Sequence, residues 1–129
     1  MIQDNMSIAR DKIIRTSSRK LNIVAKSIVN MSVNKAVNQL KFTSKRISKS
    51  VLKVLNAAIA NAENNKQLDI DNLFVKEAYV GKSLSMKRFR PRAKGRASPI
   101  LKPFSRLTII LEEKKSISKT TSKNIKEKK

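Results

Sequence analysis

The sequence predicts an α+β chain that carries a long basic arm. Between positions 17 and 64 the apolar residues recur at helical spacing in three stretches, and between 73 and 111 two short runs are rich in strand formers. The segment separating those runs, Gly81 to Arg106 (GKSLSMKRFRPRAKGRASPILKPFSR), holds nine basic residues and no acid, together with both glycines and all three prolines of the chain.

The first helix falls in Ser17 to Asn30, where Leu21, Val24, Ala25 and Ile28 lie three and four apart. Asn30 ends the pattern, and Asn tolerates the left-handed conformation that terminates many helices. A second, shorter helix fits Ser32 to Lys41, with Ser32 as N-cap and Val33, Ala36, Val37 and Leu40 inward. Phe42-Thr43-Ser44 breaks the period and supplies another cap. From Ser44 to about Asn64 the stripe Ile47, Val51, Val54, Leu55, Ala58, Ile59 and Ala62 marks the longest helix, slim with alanine in its second half. Lys45, Arg46, Lys49 and Lys53 occupy its other face, open to either phosphate or water. Asp69 and Asp71, beside Asn72, read as turn and cap residues rather than as a magnesium site. Leu73 to Val80 reads as a strand, and Leu107 to Leu111, where Leu107, Ile109 and Leu111 alternate, as its partner.

Two strands flanking an acid-free segment predict an antiparallel hairpin whose outer part extends beyond the globular body. The turn is placed at Arg92 to Arg96, since Gly95 accepts a positive φ without steric penalty. Pro99 and Pro103 remove donors from the returning strand, so irregular pairing is expected there. Fully extended, Gly81 to Gly95 reaches on the order of 45 Å at about 3.3 Å per residue.

Charge and composition narrow the function. The chain has 129 residues, enough for one domain, and carries 30 Lys plus Arg against 9 Asp plus Glu, a formal net charge of +21. Lys87, Arg88, Arg90, Arg92, Lys94 and Arg96 fall within ten residues, and arginine is concentrated there although lysine dominates elsewhere. The guanidinium fork pairs two phosphate oxygens and stacks on bases, so this segment points to nucleic acid. With no cysteine and no histidine, disulfides, thiolate metal sites and the usual neutral-pH acid/base are all excluded. No catalytic, metal or cofactor site is expected, and the chain is not read as an enzyme. The first fifteen residues read as an N-terminal extension without a signal-peptide core, nothing approaches a membrane-spanning length, and an intracellular location is expected.

At this point the residues resemble a known family. Ser85-Met86-Lys87-Arg88-Phe89-Arg90-Pro91-Arg92-Ala93-Lys94-Gly95-Arg96-Ala97, followed by Ile100-Leu101-Lys102, is similar to the hairpin-tip signature of the universal ribosomal large-subunit protein twenty-two family, bacterial type. Val51 to Leu55 and Ala58 to Asn64 resemble its central helix, and Ser17 to Ala25 with Val33 and Ala36 its first helices. Val29-Asn30, closing the first helix, and Pro103 and Arg106, at the base of the hairpin, depart from the family pattern.

The resemblance implies three helices packed on a small antiparallel sheet with a long protruding β-hairpin, in a single domain over 16–111 that includes the arm 81–106. It also implies a structural protein of the large ribosomal subunit, in the bacterial cytoplasm or in an organelle, whose partners are large-subunit rRNA, neighbouring ribosomal proteins and the nascent polypeptide. Carried over by motif, the rRNA-binding residues are Lys82, Lys87, Arg88, Arg90, Arg92, Lys94, Gly95, Arg96 and Lys102. Arg92, Ala93, Lys94, Gly95, Arg96 and Ala97 would form a tip lining the nascent-chain exit tunnel. Residues 112–129, rich in lysine and without apolar period, read as a disordered basic tail. The competing class is a basic DNA-binding or DNA-compacting protein, since charge alone does not separate DNA from RNA. A membrane-surface protein ranks last because no amphipathic helix is spare.

Overall fold

The structure is a computed structural model and describes residues 5–114. Its sheet is built around the last strand. Strand β3 (Ala97–Glu113) lies between β1 (Met6–Ile14) and β2 (Leu73–Pro91), antiparallel to both. The alternation of Leu107, Ile109 and Leu111 is realised as a fully buried row facing the helices. Leu73 and Val75 of β2 and Ala9 of β1 lie on the same inner side.

Three helices cover that face: α1 (Ser18–Ser27), α2 (Val33–Phe42) and α3 (Ser48–Lys66). Leu21, Val24, Ala25 and Ile28 from the first, Val33, Ala36 and Leu40 from the second, and Val51, Val54, Leu55, Ala58 and Ala62 from the third complete the core. Val37, expected inward, is half-buried at its edge. Ser32 occupies the N-cap position of α2, but its hydroxyl makes no capping bond.

The link between α1 and α2 is fastened to the sheet by backbone. Asn30 takes φ 64°, which turns the chain so that its N–H donates to the Val75 carbonyl at 2.8 Å, while the Val75 N–H donates to the Met31 carbonyl at 2.9 Å. Helix α3 begins later than expected. Its hydrophobic stripe starts at Ile47, but Ser48 N–H bonds the Lys45 carbonyl at 2.9 Å in a turn, and helical structure begins only there. It also runs past Asn64. Gln67 takes the left-handed position at φ 51°, and the Gln67 and Leu68 N–H groups cap the Glu63 and Ala62 carbonyls, each at 3.1 Å.

The N-terminal segment corrects the sequence reading. Residues 6–14, read there as part of an extension, form an edge strand of the sheet. Its inward side chains include the small Ser7 and Ala9, because α3 packs close: Ser7 Oγ donates to the Ala58 carbonyl and Asn61 Nδ2 to the Ile8 carbonyl, both at 3.0 Å. Such a strand has little hydrophobic periodicity to detect. The start of the expected tail is corrected too. Glu112 and Glu113 belong to β3, Glu112 pairs with Lys76 at 3.1 Å, and Lys114 sits 4.9 Å from the centre of the Phe74 ring. The rest of that tail, 115–129, lies outside the described residues, as do residues 1–4.

Candidate nucleic-acid interface

Beyond the core, β2 and β3 continue as a two-stranded ribbon with Cα partners from Lys82↔Ser105 to Pro91↔Ala97. Between Lys82 and Ser85 the register shifts opposite Ser105 to Pro103, the irregularity that a donor-less proline makes acceptable. Opposite Pro99 the ladder keeps its register, with Phe89 as its partner.

The register sorts the arm's side chains onto two faces. Because partners across a ladder share a face and neighbours along a strand alternate, Met86, Arg88 and Arg90 lie with Lys102, Ile100 and Ser98. Lys87, Phe89 and Pro91 lie on the other face with Leu101, Pro99 and Ala97. One face is therefore strongly cationic and the other mainly apolar. Arg88 lies along its own strand, with Nη1 donating to the Lys87 carbonyl at 2.9 Å and Nη2 near the Met86 sulfur at 3.9 Å. Phe89 remains 78% exposed, so the opposite strand leaves its ring free for stacking.

At the tip, the Arg92 N–H donates to the Arg96 carbonyl at 2.7 Å and closes the loop. Lys94 and Gly95 both take positive φ, 60° and 70°. Nothing approaches within 4 Å of where a Gly95 side chain would begin, so the glycine serves the backbone angle there, leaving a flat outer surface. The tip residues Arg92, Ala93, Lys94, Gly95, Arg96 and Ala97 are all exposed.

The expected site residues thus fall into three places. Arg92 to Ala97 form the tip; Lys87, Arg88 and Arg90 the shaft; Lys82 and Lys102 the root. At the root, Lys82 lines a depression of about 510 Å³ with Arg10, Lys12 and Arg106. The Arg106 side chain lies across Gly81, whose own β-carbon would come within 2.6 Å of Arg106 Nε. Lys102 lines a second cleft with Arg15, Lys20 and Arg46. Arg10, Lys12, Arg15 and Lys20 carry no motif of their own, and only the pairing of β1 with β3 brings them beside the arm.

Acids are absent from the ribbon. Among the described residues Glu63, Asp69, Asp71, Glu112 and Glu113 gather where α3 ends and the outer ends of β2 and β3 meet, with Asp69 accepting from the Asp71 N–H and from Asn72 Nδ2. That pole is at the far end of the strands from the tip, so charge is graded along the molecule. No cluster of His, Cys, Asp or Glu suited to a metal occurs among the described residues.

Family comparison agrees with this outline. The family model described as ribosomal protein L22p/L17e matches residues 9–112. The chain belongs to that family. It is 57% identical over 111 residues to the large ribosomal subunit protein uL22 of Pelagibacter ubique, covering 86% of this chain and 84% of that protein. The uL22 proteins of Phenylobacterium zucineum and Maricaulis maris are also each 57% identical, over 83% and 87% of this chain and 85% and 89% of their own lengths. These relatives are ribosomal proteins and not enzymes. The match begins at Ala9, so the family pattern includes most of β1.

Proposed function

We propose that this chain is a structural constituent of the large ribosomal subunit that binds large-subunit rRNA and helps several of its domains come together during assembly. The observation that carries the reading is the acid-free ribbon from Lys82 to Arg106, exposed along its outer length and cationic on one face, in a chain of this family. A slender two-stranded arm enters between RNA helices where a compact domain does not fit. Its guanidinium and ammonium groups replace the counterions that closely approaching phosphates otherwise require. The work is structural clamping, with no bond made or broken.

In the same reading Lys82, Lys87, Arg88, Arg90, Arg92, Lys94, Gly95, Arg96 and Lys102 contact rRNA, and Arg92 to Ala97 line the nascent-polypeptide exit tunnel. Neighbouring ribosomal proteins and the nascent chain are its other partners, and the bacterial ribosome is its location, in keeping with the bacterial relatives. Residues 16–111, together with the edge strand at 6–14 and the end of β3 at 112–113, act as one domain including the arm. No helix among the described residues is long and apolar enough to cross a membrane.

A photoreactive residue at Lys94, in purified and salt-washed large subunits carrying a stalled nascent peptide, tests this directly. Crosslinks to tunnel RNA and to the peptide are expected. Loss of the protein on washing, or crosslinks only to DNA in cell extracts, would favour a DNA-binding role instead.

A further inference from the structure

Three segments far apart in sequence meet where the arm leaves the globular part. Arg15, Thr16, Ser17 and Lys20 arrive from the junction of β1 and α1, Arg46 and Ile47 from the turn before α3, and Leu101, Lys102 and Pro103 from the returning strand. Together they line an open cleft of about 570 Å³. Its walls carry four cations and no carboxylate, and none of the four is in an ion pair among the described residues. Ile47, Leu101 and Pro103 supply an apolar floor.

The cleft is held in shape rather than assembled by chance from mobile side chains. Ser105, fully buried, donates its hydroxyl to the Thr16 carbonyl at 2.8 Å, the Thr16 N–H bonds the Ile14 carbonyl at 2.8 Å, and Ile14 is the ladder partner of Ser105. The segment bearing Arg15 and Lys20 is thereby fixed against the strand bearing Lys102. Four like charges so fixed repel one another, and a bound polyanion relieves that repulsion. Leu101 and Pro103 lie on the face of the ribbon that carries Lys87 and Phe89, with Lys102 turned to the other face, so the cleft adjoins the mainly apolar face of the arm and meets the cationic face at Lys102.

We propose that this cleft seats consecutive backbone phosphates of an RNA strand passing the root of the arm, with a ribose or base edge against Ile47, Leu101 and Pro103. It adds Arg15, Lys20 and Arg46 to the RNA-contacting residues and locks the angle between arm and body once RNA is bound. The proposal rests on the rRNA-binding reading given above and extends it to a second site. RNA is the favoured polyanion because the cleft is a short, irregular trough beside an arm already matched to RNA. At the cleft itself nothing protrudes to enter a duplex groove, because the surface there is concave.

The test compares the full-length protein with R15Q/K20Q/R46Q and with K26Q/K35Q/K41Q, which removes the same charge from exposed positions away from the cleft and the root of the arm. Binding to a large-subunit rRNA transcript is measured at several salt concentrations, with hydroxyl-radical footprinting of the RNA. Circular dichroism verifies that each variant is folded, and R15K/R46K serves as a charge-preserving variant. If three phosphates are seated, the slope of log K against log salt becomes shallower by about 2 to 3, at roughly 0.7 to 0.9 per phosphate. One RNA protection distinct from that of the tip is then lost in the cleft variant alone and retained in R15K/R46K. Equal losses in the two triple variants, or a slope and footprint like wild type in the cleft variant, would overturn the cleft. Indifference of the wild-type protein to rRNA over duplex DNA would overturn the rRNA-binding reading itself and the cleft with it.

Discussion

Ser105 Oγ donates to the Thr16 carbonyl at 2.8 Å, joining the returning strand of the arm to the start of the first helix across 89 positions of sequence. Ser105 is fully buried, and the register between β1 and β3 shifts just there, between Asp11 and Ile14. The hydroxyl therefore satisfies a carbonyl that strand pairing leaves over. Ser105→Ala is expected to destabilise the protein by about 1–2 kcal/mol, the usual penalty for a buried acceptor left without its donor. Urea unfolding followed by circular dichroism measures it. An unchanged midpoint would mean that water replaces the hydroxyl at Thr16.

Asn30 gives a second, backbone-based prediction. Its φ of 64° is what brings its N–H to the Val75 carbonyl. Asn30→Val places a β-branched side chain in the left-handed region and is expected to destabilise by about 1–2 kcal/mol. Asn30→Gly should stay within about 0.5 kcal/mol of wild type, since relief of the angle and a freer unfolded chain oppose each other. Both values come from the same unfolding experiment, and equal behaviour of the two variants would remove conformation as the reason for Asn at this position.

How much of this was legible in the sequence depends on the kind of signal each element carries. Leu107, Ile109 and Leu111 are large and alternate, so the central strand could be read, as could α3 from its long apolar stripe. Strand β1 could not, because its buried Ser7 and Ala9 are small, and hydrogen bonds from Ser7 to the Ala58 carbonyl and from Asn61 to the Ile8 carbonyl replace bulk where it meets α3. The start of α3 was read too early because Ser44 resembles a cap, whereas Ser48 uses its hydroxyl to bond the Lys45 carbonyl. At the interface, the acid-free arm declares itself by composition. Arg15 and Lys20 do not, since isolated cations acquire meaning only when β1 pairs beside the arm.

Tyr79 offers a prediction in pH. The phenol donates to the Glu77 carboxylate two residues away on the same strand, and this hydrogen bond, with small contributions from desolvation and the carboxylate's charge, raises the Tyr79 pKa above its ordinary value. The neutral phenol is the bonded form, so the bond's contribution to stability is present below the ordinary tyrosine pKa and disappears as pH rises through the raised one. The chain has one tyrosine and no tryptophan, so absorbance near 295 nm reports this group alone. Glu77→Gln is expected to bring the titration midpoint down toward the ordinary value. A midpoint unaffected by that substitution would place the phenol away from Glu77 in solution.

Gly95 tests the tip separately from the globular part. Gly95→Val forces a branched side chain to φ 70°, where no neighbouring atoms lie within 4 Å, so its penalty is conformational and confined to the loop. The unfolding midpoint of the helices should move by less than about 0.5 kcal/mol, as for surface changes generally. Affinity for large-subunit rRNA should nevertheless fall if the tip meets RNA as proposed, because a side chain would then project from the contacting surface. Unchanged RNA affinity would separate the tip from the binding surface.

Removal of the outer arm tests the division between arm and body. Deleting Met86 to Ser98 joins Ser85 to Pro99 and leaves Pro99 to Lys102 to close a short turn before Pro103, the ladder partner of Ser85. The thirteen deleted residues contribute nothing to the buried core, and Ser98 alone among them is even half-buried. The helical circular dichroism signal and the unfolding midpoint should therefore be preserved. Six cations leave with the segment, so the slope of log K for rRNA against log salt should become shallower by about 4 to 5 if each meets a phosphate, at roughly 0.7 to 0.9 per contact. Residual salt-dependent binding is expected from the cleft at the root, where Arg15, Lys20, Arg46 and Lys102 all remain. Loss of the helical signal on deletion would show that the ribbon supports the fold as well as the RNA contact, since β3 runs without interruption from the arm into the centre of the sheet.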